Sequence, residues 1–316
     1  MTQLSPAIQQ ILARLENERE AEVGRNGQYM LWAAGAAAVL AVIALAIFRE
    51  LLAGAIPLGI GVLIAGMLWL QRGSKTAIKF KLEVIPALLA ELAPDMRYEP
   101  NRCISENEFV AAGFFGKIDR YTSSGRIGGR FGLTALHFGY VHAEESYQES
   151  YTDSQGKRRT RTKYRTLFRG IFLSADNNKA FYSRTLLQPG SVNFLNNFFG
   201  SYLTLEDPEF NDIFKVSADN EVEARYLLTP STMERFKALH ERFREMHAVY
   251  RDSRLLLALP GGEPFQVDGG DSFLSGEQAL ALSEELQRYL GVVDMLDLNT
   301  RIWSKAPMRT PEPAAS

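Results

Sequence analysis

The sequence predicts an α+β protein: an N-terminal transmembrane helical hairpin, followed by a soluble domain with an antiparallel sheet and packed helices. Three observations predict it. Two uncharged apolar runs of 20 residues, 29–48 and 51–70, are separated only by Arg49 and Glu50. From about residue 107 the chain is rich in aromatic, β-branched and glycine residues, the texture of strands. After Tyr202, apolar positions recur at helical spacing behind capping residues.

The organisation expected along the chain is an amphipathic helix over 1–28, transmembrane helices over 29–48 and 51–70, a soluble α+β domain over 71–298 and a disordered tail over 299–316. In the first segment Leu4, Ile8, Ile11, Leu12 and Leu15 share one helical face. Docking or self-pairing suits this stripe better than lipid, because Glu16, Glu18, Glu20 and Glu22 would repel anionic headgroups.

A helix of 20 residues spans about 30 Å, the thickness of the hydrocarbon core. Each run therefore fits one crossing. A single continuous helix would bury Arg49 and Glu50 at bilayer depth, at roughly 2.5–3.5 kcal/mol per charge, so a tight turn there is favoured. Gly61 and Ala65 have the small-xxx-small spacing of close helix contacts. Pro57 is expected to kink the second span, and Trp32 and Trp69 to lie at a shared interface. A secretory signal fits poorly, because 28 residues with four glutamates precede the first run. Arg14, Arg19, Arg25, Arg72, Lys75, Lys79 and Lys81 flank the spans, against Arg49 alone in the turn. That asymmetry predicts both termini on the cytoplasmic side.

The segment 76–93 reads as an amphipathic helix with Ile78, Val84, Leu88, Leu89 and Leu92 on its apolar side and Pro86 as a kink. Strands are expected over 108–121, 126–142 and 166–175. A short helix is expected over 208–214, another capped by Asp219, and a third capped by Thr229 with Met233, Phe236, Leu239 and Phe243 on its buried face. Residues 248–250 and 255–259 read as a hairpin around Arg251-Asp252-Ser253. Ser275 with Gln278 forms a capping-box pattern before a last helix, whose stripe is Leu282, Leu286, Leu290, Val293 and Leu296.

Net charge is −2, with 35 basic and 37 acidic residues, which gives no global case for nucleic-acid binding. Cys103 is the single cysteine and fits a small buried or half-buried residue in a reducing compartment. Gly125, Gly128, Gly129 and Gly132 match neither a dinucleotide nor a Walker pattern, so they read as turn and strand glycines. His137 and His142 would point to opposite faces of a strand and not converge on a metal. No cofactor is implied.

Two charged groups remain as site candidates. Lys157, Arg158, Arg159, Arg161, Lys163 and Arg165 lie between two expected strands and read as a long hairpin tip that contacts the membrane or an acidic partner. Glu206, Asp207, Glu209 and Asp212 form an acidic cluster that could hold a general acid–base pair, although helix-terminal carboxylates are commoner. A bridge from Arg225 to Asp207 or Glu209 is expected, so Asp207, Glu209 and Arg225 are the candidate enzymatic set.

The blocks Phe168-Arg169-Gly170-Ile171-Phe172, Asn178-Lys179, Phe181, Leu205-Glu206-Asp207-Pro208-Glu209-Phe210, Phe214 and Val222-Glu223-Ala224-Arg225-Tyr226-Leu227-Leu228-Thr229-Pro230 resemble one family over most of residues 75–265. It is a bacterial family of membrane-anchored proteins catalogued as a domain of unknown function, sometimes encoded beside LemA-type membrane proteins. The resemblance implies two spans before one soluble domain in a bacterial inner membrane, and brings no activity or catalytic residue. The function expected is a membrane-tethered scaffold or regulatory binding module, with a membrane protein partner or a second copy. The alternative is a membrane-bound hydrolase or transferase using the acidic cluster.

Overall fold

A computed structural model describes residues 4–48, 51–70, 73–177, 181–190 and 201–300. The side chains of residues 48, 51–54, 69, 70 and 201 are not described. Arg49, Glu50, Arg72, the Trp69 ring, Asn178, Lys179 and the tail over 301–316, all read from sequence above, lie outside the described residues. The chain is α+β, with a long apolar N-terminal helix and an antiparallel sheet with helices. It divides into two compact units, Met1–Leu88 with Phe265–Glu284, and Leu89–Pro264 with Glu285–Ser316. Residues 265–284 thus belong to the N-terminal unit.

In the first unit, α1 runs unbroken over Pro6–Phe48, 43 residues. The amphipathic segment and the first apolar run, expected as separate elements, are one helix, because neither proline nor a cap intervenes at residue 28. Helix α2 is Leu51–Leu70 and contains Pro57, and α3, Ser74–Leu92, passes through Pro86 without ending. Helices α1 and α3 run antiparallel. Arg14 pairs with Glu83, Glu18 with Lys79 at 2.5 Å, and Glu22 with Thr76. Between them Ile8, Leu12 and Leu15 are buried, as are Phe80, Val84 and Ile85. Ile78, expected on the apolar side, is 60% exposed. It lies two residues, or about 200° of helix turn, from Phe80. Farther along α1, Ala37 meets Gly61 of α2, where a Cβ would collide.

The segment before α8, Glu277–Met295, is bound to α1. Glu16 accepts hydrogen bonds from the Phe273 amide at 2.8 Å and the Ser272 hydroxyl at 3.0 Å, and pairs with Arg19 at 2.7 Å. Arg19 in turn donates to the Gly270 carbonyl at 3.1 Å. The Arg19 guanidinium, with these donors, holds the Glu16 carboxyl down to about 2. The expected capping box does not form. Ser275 Oγ accepts from Glu277 N at 3.4 Å, while the Gln278 amide brackets the backbone of Asp268.

The second unit is built on nine antiparallel strands among the described residues. They are β1 Met96–Glu99, β2 Arg120–Phe131, β3 Thr134–Thr152, β4 Arg158–Asp176, β5 Thr185–Pro189, β6 Ser201–Leu203, β7 Phe214–Ala218, β8 His247–Arg251 and β9 Arg254–Pro260. Their order is β1-β2-β3-β4-β9-β8-β5-β7-β6. Residues 108–121, expected as a strand, instead carry α4, Glu106–Ala112. Ser105 caps it and Gly113, at φ 72°, ends it in the left-handed region. Phe109 of α4 covers one face of the sheet, 5.5 Å from the rings of Phe168 and Phe172.

The opposite face is covered by α7, Pro230–Phe243, and by the end of α8. Phe236 stands 6.2 Å from Tyr250, and Tyr289 5.8 Å from Phe138. With both faces covered, β9 reads as a continuous apolar run, Leu255 to Leu259. The hairpin β8–β9 turns at Asp252 and Ser253, both at positive φ, the geometry of a two-residue type I′ turn. Two short helices complete the unit. Asp207 caps α5, Pro208–Ile213, and Asn220 caps α6, Glu221–Leu227, where Asp219 was expected. Asn220 wins because its Oδ1 reaches the amides of both Val222 and Glu223.

Candidate functional site

The basic segment lies at the distal end of the β3–β4 hairpin, with Lys157 in the turn and Arg158 to Arg165 on β4. Strands β3 and β4 pair from Leu136 with Ala175 to Thr152 with Arg158, but β2 leaves β3 at Glu144 and β9 joins β4 only from Gly170. Beyond those points a two-stranded ribbon projects with neither edge paired among the described residues, about 20 Å from Ser146 to Thr152 at 3.4 Å per residue. Asp153 organises its tip, accepting from the amides of Gln155 and Lys157, and Gly156 takes φ 76°.

Strand alternation places Arg159, Arg161, Lys163 and Arg165 on one face. Each meets a carboxylate: Arg159 with Asp153 at 2.7 Å, Arg161 and Lys163 with Glu149 at 2.5 and 2.8 Å, and Arg165 with Glu145 at 2.5 Å. Arg158 is on the other face and Lys157 at the turn, and neither has a carboxylate partner among the described residues. Six cations against Glu145, Glu149 and Asp153 leave the ribbon with an excess of three positive charges. Tyr147, Tyr151 and Tyr164 stand half-exposed among them. Cations along a free strand edge also discourage unwanted strand pairing.

The acidic cluster is arranged differently from the expected set. Arg225 bridges Glu206 at 2.5 Å and Glu221 at 2.9 Å, not Asp207 or Glu209. Asp207 and Glu209 instead share Lys237, at 2.9 and 2.8 Å, with Glu234 as its third partner. No local sequence signal points to Lys237, which lies 28 residues from Glu209. Its ammonium and the Phe210 amide hold the Asp207 carboxyl below the ordinary range. A general acid needs the opposite shift. Glu206 and Glu209 are exposed, their side chains 67% and 74% accessible. The cluster therefore has the chemistry of surface ion pairs that fix helix ends.

His137 and His142 do not converge: His137 Nε2 lies 2.6 Å from Glu108, and His142 Nε2 3.3 Å from the Thr166 hydroxyl. Among the described residues no His, Cys, Asp and Glu group is arranged to hold a metal. Cys103 is exposed, against expectation, because it sits in the loop between β1 and α4.

One described helix, α1, is long and apolar enough to cross a membrane, and Ala55–Leu68 is a shorter apolar helix. Only 6% of the most apolar window of α1 is buried, so it is not a core helix. Trp32 is 78% exposed and Leu63 74%.

The second unit also contains a cavity of about 240 Å³ lined by residues from Asn177 to Thr300. No short-range sequence signal marks it, because its walls come from the residue after β4, the end of α6, the first turns of α7, β8 and the segment after α8.

The segment that starts where the ribbon rejoins the sheet has a known counterpart. Residues 166–298 match DUF3137, a protein family of unknown function. The DUF3137 segment begins at Thr166 and ends at Leu298, so it holds β5 to β9 and α5 to α8 and excludes the six basic residues of the ribbon. It is shorter than the resemblance over 75–265 implied at its N-terminal end and longer at its C-terminal end. No curated protein matches the chain. A crystal structure of the mycobacterial trehalose monomycolate transport factor A, TtfA, aligns at 9% identity over 64% of this chain and 88% of its own, with a TM-score of 0.31. A likeness at that level transfers neither fold nor function to the DUF3137 segment.

Proposed function

We propose that this chain is a binding module anchored in the bacterial cytoplasmic membrane by a two-span hairpin, with both termini cytoplasmic, and that its basic ribbon engages a partner at that membrane. The observation that carries the anchor is the exposed apolar length of α1, which water would solvate poorly and lipid well. Two further features support a return through α2. The antiparallel pairing of α1 with α3 continues to Ala37 and Gly61, and α2 has 20 residues of the right length and composition. The seven basic residues flanking the spans, against Arg49 between them, support the orientation.

The ribbon supports the binding role. It offers unpaired strand edges, surplus positive charge and exposed tyrosines, the composition of a contact surface. An enzymatic reading based on Asp207, Glu209 and Arg225 finds less support, because the geometry separates Arg225 from the two carboxylates and pairs all three.

The test is a photoreactive phenylalanine analogue at Tyr151 in the full chain, irradiated in native membranes. A reproducible protein adduct that disappears when the six basic residues become glutamine is the expected result. An adduct with lipid alone, or none, contradicts a partner-binding ribbon.

A further inference from the structure

The cavity in the second unit carries an inference independent of the membrane anchor and the ribbon. Its polar lining includes Asn177, Thr229, Thr232, Arg235, Tyr250 and Asp297. Asn177 and Tyr250 are each only 4% exposed. Neither the Asn177 amide nor the Tyr250 hydroxyl has a hydrogen-bond partner among the described residues; the Asn177 backbone amide alone is bonded, to Ser253. Polar groups on buried side chains almost always find partners, and these two open onto the same cavity, where water or a ligand completes them.

The electrostatics restrict what that is. Arg235 is 2.8 Å from Asp297, so the charges on the wall cancel. The α7 N-terminus is already capped, since Thr229 Oγ1 accepts from the Thr232 amide at 3.3 Å and lies 2.9 Å from the Thr232 hydroxyl. An ion entering here would bring a charge with no counterpart. What remains is a set of groups that both donate and accept: an amide, a phenol and threonine hydroxyls. Hydroxyl groups on a neutral ligand match that set. The volume, about 240 Å³, suits one small ring.

We propose that this cavity binds a neutral polyhydroxylated molecule of about monosaccharide size, with Asn177 and Tyr250 as its two buried hydrogen-bonding anchors. The Arg235–Asp297 pair forms the polar wall beside the ligand. Thr229 and Thr232 line the cavity at the start of α7.

The experiment is saturation-transfer NMR and equilibrium dialysis on the full chain in nanodiscs. The probes are a panel of hexoses, pentoses, hexitols and myo-inositol, with inorganic phosphate and glycine as charged probes. Tyr250→Phe removes only a hydroxyl that bonds nothing among the described residues, so it should leave the fold intact; Asn177→Leu is the second variant. Saturable binding of at least one neutral polyol is expected, weakened about tenfold or more by Tyr250→Phe with no loss of thermal stability. Three results would overturn the proposal: no saturable polyol binding at millimolar concentration, the behaviour of a cavity holding water alone; binding that neither variant weakens; or binding of only phosphate or glycine.

Discussion

The carboxylate of Glu22 closes the first turn of α3 by accepting the Thr76 amide at 3.0 Å. It also takes the Thr76 hydroxyl and, at 3.4 Å, the Lys75 amide. Glu22 is 54 residues from Thr76 in sequence, yet does for α3 what a local capping residue does elsewhere. A negative charge at a helix N-terminus adds its favourable interaction with the macrodipole. This contact joins α1 to α3 and sets the pairing that continues to Ala37 and Gly61.

Replacing Glu22 by alanine leaves those donors unpaired in a site that is only 7% exposed. The expected cost is about 1–2 kcal/mol. Hydrogen exchange at the amides of residues 75 and 76 should accelerate correspondingly in the full chain in nanodiscs. Glu22→Gln keeps an acceptor and should lose less. Equal exchange in wild type and both variants would show that the cap contributes nothing.

Gly61 and Gly59 provide a paired test of the α1–α2 contact. A Cβ on Gly61 would overlap Ala37, whereas Gly59 has nothing within 4 Å. Gly61→Leu should destabilise by about 1–3 kcal/mol through forced separation, and Gly59→Leu should be near neutral. Thermal melting in one detergent distinguishes them, and equal behaviour contradicts the packing.

His247 makes the stability of the second unit depend on pH. Burial holds its imidazole down to about 4, against an ordinary 6.5, and its ring lies 4.8 Å from Phe115. The unfolded chain therefore binds a proton between those values and the folded chain does not. Stability is complete above pH 6.5 and falls as pH drops toward 4, by on the order of 2–3 kcal/mol. Exchange protection of β8 should show this slope, and His247→Phe should flatten it. An unchanged slope in the variant would assign the dependence to other groups.

Much of the architecture was legible because its signals are local. The cap Thr229, the stripe from Met233 to Phe243 and the Asp252-Ser253 turn each need only a few neighbouring residues to be read. Helix α4 was not legible, since Phe109, Phe114 and Phe115 give that stretch the texture of a strand while its cap, Ser105, lies outside it. The ribbon illustrates the limit for sites. Its basic residues stand out in sequence, but their pairing with Glu145 and Glu149 depends on a cross-strand register that the pattern alone does not encode. Lys237 and the cavity residues are farther still from any local signal, because tertiary folding brings them together.

The central claim, a hairpin with both termini in the cytoplasm, is tested most directly with cysteine labelling in intact cells. Cys103 is the natural cysteine and is exposed. A membrane-impermeant maleimide should leave it unmodified until the cells are opened. In a Cys103→Ser background, Glu50→Cys, between the two apolar runs, should be labelled in intact cells. Labelling of Cys103 with protection of position 50, or protection of both until lysis, would contradict the account.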